Sequence, residues 1–317
     1  PNSWTSVKLS VGLDLEEGRI EAATTRLDRY LSSAKVSVGR VKRMQQVAGL
    51  LAELSSSPQL PEASGIAAFR KADAIYQDLI AHSNRSVPAY ARLMARQGSL
   101  KSALDLLERK ESGLHRRLRA AFGVQLIQHA AHDDPQVERV HRWISALREK
   151  NPDTVPLMHM EAAICLRRQQ YDKAVELIRM ILKQRPEDVN SLNNLAWIVG
   201  TQNGDHQKAF ELLETAGNVA GEAAFLLDTR GLVSLEMGRI ASALDDLETA
   251  WRQDNSPVTQ YHLALALSRF GDTASAQEHF NEALAAGLHP HMLEAPEVAE
   301  FEKLQNQLDS RPDVVNE

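Results

Sequence analysis

Over residues 191–284 the apolar positions come round three times in one arrangement. The stretches SLNNLAWIVGTQNGDHQKAFELLETA (191–216), LLDTRGLVSLEMGRIASALDDLETA (226–250) and QYHLALALSRFGDTASAQEHFNEAL (260–284) share it. Each has a small residue on a first apolar stretch, a Gly near a turn and an Ala opening a second stretch. An apolar residue follows four positions on, and a small residue three beyond that. The sets are Ala196, Gly204, Ala209, Leu213, Ala216; Gly231, Gly238, Ala243, Leu247, Ala250; and Ala264, Gly271, Ala276, Phe280, Ala283. Helical spacing of the apolar residues predicts two antiparallel helices per unit, with the Gly supplying a turn that a side chain would strain. Ala196, Ala209 and Ala216 let the two helices approach closely while Leu195 and Leu213 fill the space beside them. One such hairpin cannot bury its apolar face alone, so units must stack, and the first helices then line an inner surface.

The spacing can be followed outward. Gly18, Ala23 and Leu27 reproduce the interval of Gly238, Ala243 and Leu247. A helix over about 39–54 leads into SSSPQLPEASG (55–65), a loop by its Ser, Pro and Gly, and 66–82 carries Ala72, Tyr76 and Leu79 as a second helix. Residues 38–84 thus read as one unit with an enlarged inner turn, which projects from one face as a candidate contact. Residues 86–110 restore the pattern with Ala91, Gly98, Ala103 and Leu107. A longer helix is predicted over 114–131, ended by Asp133-Asp134-Pro135, which opens 136–150 with Val140, Ile144 and Leu147. Residues 155–185 follow with Ala162, Tyr171, Ala174 and Ile178, closed by Pro186. Beyond the core, His289-Pro290 ends the last pair, and PEVAEFEKLQNQL (296–308) sets Val298, Phe301, Leu304 and Leu308 on one stripe, as a capping helix requires.

These intervals resemble the tetratricopeptide repeat, a helix-turn-helix unit of about 34 residues; the glycines at 204, 238 and 271 give periods of 34 and 33. The resemblance is close over 155–288, looser over 1–152, and amounts to about eight repeats. It implies an all-α, right-handed α-solenoid. Degenerate repeats, about four with an insertion at 55–65, would occupy 1–153, four regular repeats 154–290, and a capping helix and tail 291–317. Two residues depart from the family pattern. Glu161 stands where a Leu is most frequent, and Gln169 replaces the turn Gly.

In this family the inner surface is lined by first-helix residues that do not pack into the helix pair. The resemblance assigns that role to His159, Ala163 and Arg167; Asn193 and Trp197; Asp228, Leu232 and Glu236; and Tyr261, Leu265 and Arg269. Residues four apart share a helix face, so Asn193 with Trp197 and Tyr261 with Leu265 would form polar-apolar platforms suited to a peptide. Some relatives grip a C-terminal carboxylate with Lys, Arg and Asn over three repeats. Asn194 matches one such Asn, but Phe225 and Thr229 stand where cations would be needed, so that clamp is not expected. The wording LNNLAW, LLDTRG and YHLALA also resembles bacterial tetratricopeptide proteins, some of which serve envelope or polysaccharide export.

Composition agrees with an all-helical chain: Leu, Ala, Glu, Gln and Arg abound, and aromatics are only 5% of 317 residues. No apolar run approaches the ~18–20 residues of a membrane span, and no secretory signal is visible. The expected setting is soluble, cytoplasmic or periplasmic. The chain opens with Pro1, which suggests a processed protein or an excised fragment. The single Cys165 excludes an internal disulfide and reads as a small buried hydrophobe. Charge is uneven: residues 1–150 hold 23 Lys and Arg against 16 Asp and Glu, a balance of +7, while 151–317 hold 13 against 26, a balance of −13. Oppositely charged halves offer a route to self-association.

Candidate chemistry is sparse. His129 and His132 lie one turn apart without a completing ligand, and His289 and His291 flank a proline in a turn. No Gly-rich phosphate loop, GxSxG or HExxH is present, so no cofactor or metal is expected. Asp245-Asp246 and Glu187-Asp188 read as solvated acids. The basic segment 109–119, with Arg109, Lys110, Arg116, Arg117 and Arg119, reads either as an anion patch or as cations at a helix end, and lacks interleaved aromatics to stack bases. The expectation is a non-enzymatic scaffold binding a protein or peptide in its groove. The alternatives are a regulatory or substrate-presenting arm of a larger enzyme or export machine, and RNA or polyanion binding through 109–119.

Overall fold

The computed structural model describes residues 3–33, 37–57, 60–128, 130–131 and 133–309. They comprise α-helices and short helical turns with no strand, in two compact units divided between Ile127 and Gln128.

The first unit holds α1 (Trp4–Glu16), α2 (Ile20–Ser32), α3 (Ser37–Leu54), α4 (Glu62–His82), α5 (Val87–Arg96), α6 (Leu100–Glu108) and α7 (Arg116–Ile127). α1 with α2, α3 with α4, and α5 with α6 pack as pairs, and α7 lies against α5 and α6. Gly18 and Gly98 make their turns at φ 72° and 74°. The buried Asp14 joins α1 to α2 by accepting from Arg19 and Arg26 at 2.9–3.2 Å. Burial alone would raise its carboxyl pKa, and the two guanidiniums hold it below the usual range. The predicted 55–65 loop is shorter than expected. Pro61 precedes α4, Ser64 is already buried inside that helix, and Pro58 and Gln59 lie outside the described residues. The predicted 114–131 helix is likewise trimmed to α7, and His129 and His132 lie outside the described residues.

The second unit holds α8 (Pro135–Arg148), α9 (Val155–Arg167), α10 (Tyr171–Gln184), α11 (Val189–Trp197), α12 (His206–Ala220), α13 (Ala224–Glu236), α14 (Ile240–Asp254), α15 (Pro257–Phe270), α16 (Thr273–Ala285) and α17 (Ala295–Asp309). Asp134 begins α8 by accepting from the Gln136 amide at 2.7 Å. From α9 to α16, consecutive helices form four antiparallel pairs whose small residues are those of the sequence pattern: Ala162, Ala174, Ala196, Ala209, Ala216, Ala243, Ala250, Ala264, Ala276 and Ala283 are all buried. At Gly231 the approach is closer still, since an added Cβ would stand 2.6 Å from Leu247 Cγ.

Both departures from the family pattern have a physical reason. Gln169 adopts φ 56°, the left-handed turn that Gly204, Gly238 and Gly271 adopt at 69°, 71° and 97°. Glu161 pairs with Arg148 and lies 3.7 Å from His141, both on α8, so the α8–α9 contact is polar where the family has an apolar one. Cys165 is buried, and burial followed by the nearby Glu161 pushes its thiol up to about 11. Two acids expected to be solvated are not. Asp246 is buried and takes both arms of Arg230 at 2.6 and 2.8 Å. Asp188 accepts from the Ser191 amide at 3.0 Å to start α11.

The interval from small residue to turn Gly is seven for Gly231–Gly238 and Ala264–Gly271 but eight for Ala196–Gly204. The extra residue is absorbed by a π-turn over Ile198–Gln202, a wider coil that takes one more residue without ending the helix.

The C-terminal helix caps the last pair. Phe301 lies 5.2 Å from Phe280 and 5.6 Å from Tyr261, ring centre to ring centre, and Leu304 and Leu308 are buried with them.

Candidate functional site

Aligned on Ala162, Ala196, Gly231 and Ala264, the first helices of the second unit present three rows of side chains. The first row is His159, Asn193, Asp228 and Tyr261; the second is Ala163, Trp197, Leu232 and Leu265; the third is Arg167, Thr201, Glu236 and Arg269. The chain's own segment over 289–300 lies against them.

Arg167, at the end of α9, donates from Nε to the Ala130 carbonyl at 2.7 Å and reaches the carbonyls of His291 and Leu293, more than 120 residues further along the chain. Burial lowers its pKa. The Leu293 side chain is 2% exposed. Further on, the Tyr261 hydroxyl donates to the Glu297 carbonyl at 3.2 Å, and Arg269 lies 3.4 Å from Glu236 and 3.3 Å from Glu300. Tyr261 is 0% exposed, so it is a packing residue beneath α17 rather than the open platform expected from the sequence. Leu232 and Leu265 are also buried, whereas Asn193, Trp197 and Asp228 are half-buried and Ala163 and Glu236 exposed. Trp197 tilts against Tyr171 at 5.9 Å. His159 lies 3.1 Å from Asp188; burial alone would raise that carboxyl, and its bonds to Ser191 and His159 hold it below the usual range.

His262 is the residue that sequence reasoning passed over. It is 3% exposed, with Nδ1 2.7 Å from Asp228 Oδ1 and Nε2 3.6 Å from Glu297 Oε1. Burial favours the neutral ring, but the Asp228 and Glu297 carboxylates outweigh it and push the imidazole up to about 10. One residue before α17, burial and the neighbouring Glu297, partly offset by Arg167, push Glu294 up to about 7. Clefts of about 250 and 220 Å³ flank the segment. Trp197, Thr201, Gln202 and Arg269 line the larger, and Asn193, Asn194, Asp228 and Glu294 the smaller. Among the described residues no group of three or more His, Cys, Asp or Glu is placed to hold a metal ion.

No protein-family profile and no curated protein sequence matches the chain. Solved structures do match. A tetratricopeptide repeat protein from Parabacteroides merdae superposes with a TM-score of 0.55 at 15% identity, over 84% of this chain and all of that one. The Cut9-Hcn1 hetero-tetramer of the APC/C gives 0.52 at 15% identity, over 92% of this chain and 54% of that one. A thermophilic protein of the same repeat class from Thermus thermophilus gives 0.50 at 18% identity, over 61% of this chain and 98% of that one. The chain has the tetratricopeptide-repeat solenoid fold.

The basic segment lies in the first unit. Arg109 ends α6, Lys110 sits in a one-turn helix, and Gly113 turns the chain at φ 62° against Asn84. Arg116, Arg117 and Arg119 occupy the opening turn of α7 rather than the end of the preceding helix, so the favourable dipole position expected for them is not theirs. Arg109, Lys110, Arg116 and Arg117 are exposed and Arg119 half-buried. Within the tetratricopeptide rows, the signal for His262 was available: it follows the inner-row Tyr261 by one residue, and Asp228 occupies the matching inner-row position one repeat earlier.

Proposed function

We propose that the chain is a non-enzymatic scaffold that binds a peptide or protein segment along the inner surface formed by α9, α11, α13 and α15. One observation carries this reading. The surface already engages a stretch of polypeptide through its backbone, with Arg167 on two carbonyls and Tyr261 on a third. Groups that take carbonyls recognise peptide as peptide, and the apolar Trp197, Leu232 and Leu265 beside them supply contact area. The structurally similar Cut9-Hcn1 is itself a complex of chains, in keeping with this reading. The same surface would serve equally if the chain is the substrate-presenting arm of a larger assembly.

The test is affinity capture with the full chain as bait beside a Trp197→Ala, Glu236→Lys chain whose helicity is checked by circular dichroism. Neither change touches a fully buried position. A partner held by the wild type and lost by the folded variant is the expected result; a partner held equally by both would remove function from this surface.

A further inference from the structure

Phe301, Leu304 and Leu308, in the later turns of α17, cover the last helix pair, and residues 289–300 add Leu293 and Val298 to the same apolar cluster. Those residues run over positions that the repeats leave out of their own packing. They do so with a defined chemistry: an apolar side chain at Leu293, then carboxylates at Glu297 and Glu300 facing His262 and Arg269. Both cations keep a partner when the segment is withdrawn, His262 on Asp228 and Arg269 on Glu236. A surface whose charges remain paired without its occupant can exist open.

The fit is incomplete. Asn193 Oδ1 and His262 Nε2 are buried with no hydrogen-bond partner. Glu297 stops 3.6 Å from the imidazole, and the bond from Arg269 to Glu300 is 3.3 Å long, against 2.6 Å for the structural pair Arg230–Asp246. The two clefts beside the segment leave room for a longer or better-satisfied chain. Buried polar atoms left without partners keep an uncompensated desolvation cost, which a ligand that reaches them recovers.

Resting on the scaffold reading above, we propose that the ligand of this surface is a peptide from another protein, carrying an apolar side chain followed four and seven residues later by carboxylates, which enters by displacing the chain's own 289–300 segment. The segment is a tethered competitor built to the same pattern.

The probe is a labelled synthetic peptide with the sequence of 286–303, titrated into the full chain and into a full-chain Leu293→Asp variant. The variant's segment is loosened, so it binds the probe about tenfold more tightly than the wild type, because apparent affinity scales with the fraction of open surface. A control peptide with Lys in place of both Glu297 and Glu300 binds neither chain. Should Leu293→Asp fail to fold, the wild type still decides: excess unlabelled peptide speeds amide exchange over 289–301 several-fold and leaves α9 to α16 unchanged. Equal binding of the two peptides, or binding that leaves exchange over 289–301 unaltered, overturns the proposal. A wild-type dimer that trades segments between copies overturns it in favour of a second chain as the occupant. A partner captured through Trp197 and Glu236 that ignores the acidic peptide would sink this inference and leave the scaffold reading standing; a partner held equally by the Trp197→Ala, Glu236→Lys chain would sink both.

Discussion

His262 on α15 and Asp228 on α13 meet at 2.7 Å across neighbouring repeats, with Glu297 of α17 3.6 Å from the other ring nitrogen. The pair joins two repeats of the inner surface to the segment lying on them. Its energetics follow from the raised pKa of the ring. The stability it contributes is fully present below the imidazole's ordinary 6.5 and is lost as pH rises through about 10. Urea midpoints measured at pH 6.5 and pH 10 therefore fall in the wild type and fall less in His262→Gln; an equal fall in both chains refutes the coupling. Asp228→Asn, which removes the nearer of the two carboxylates facing the ring, costs about 3 kcal/mol at pH 6.5.

Glu294 sets a second pH response. Its pKa is raised to about 7 from 4.5, so its charged form is penalised on docking. That penalty is absent below 4.5, grows with pH and is complete above 7. Between pH 5 and 6.5 His262 stays fully charged; the carboxyl's neighbours are Glu297, Arg167, Asp228 and His262, and the Glu294→Gln chain separates its effect from that of His289 and His291 in the same segment. Amide exchange over 289–301, corrected for its intrinsic pH dependence, speeds up from pH 5 to 6.5 in the wild type and does not in Glu294→Gln.

Gln169 carries a turn that belongs to glycine. Replacing it with Gly at φ 56° relieves left-handed strain of about 1 kcal/mol, which outweighs the added freedom of the unfolded chain. The urea midpoint rises for Gln169→Gly and does not for Gln169→Ala.

Two helical glycines respond oppositely to a methyl group. In α13, Gly231→Ala drives a Cβ to 2.6 Å from the branch carbon of the fully buried Leu247, so overpacking of about 1–3 kcal/mol exceeds any helix-propensity gain. In α3, Gly49→Ala meets nothing within 4 Å and gains up to about 1 kcal/mol of propensity. Denaturation midpoints that move in the same direction for both would contradict this reading of the packing.

The helix pairs of the second unit were legible because their determinants are local and recur: Ala196, Gly231 and Ala264 mark the close approaches, and Gly204, Gly238 and Gly271 the turns. Even the irregular turn after Trp197 was written in the sequence as one extra residue before Gly204. What could not be read lies in contacts between distant parts of the chain. Nothing in Arg167 announces the carbonyl of Leu293, 126 residues away. Tyr261 sits at an inner-row position by spacing, yet α17 covers it, and only the folded chain shows that. Asp246 looked solvated beside Asp245 because Arg230, its partner, stands 16 residues back on the facing helix.

The π-turn over Ile198–Gln202 shows how this architecture tolerates a change of length. One residue inserted into an ordinary α-helix rotates everything after it by about 100°, which would carry Ala209 and Leu213 off the seam they share with α11. Here the wider coil takes up the rotation before Gly204, and the five-residue step from that Gly to Ala209 matches the step from Gly238 to Ala243. The wall beside Trp197, where Thr201 and Gln202 line a cleft, can thus gain or lose a residue while the spine behind it keeps its register.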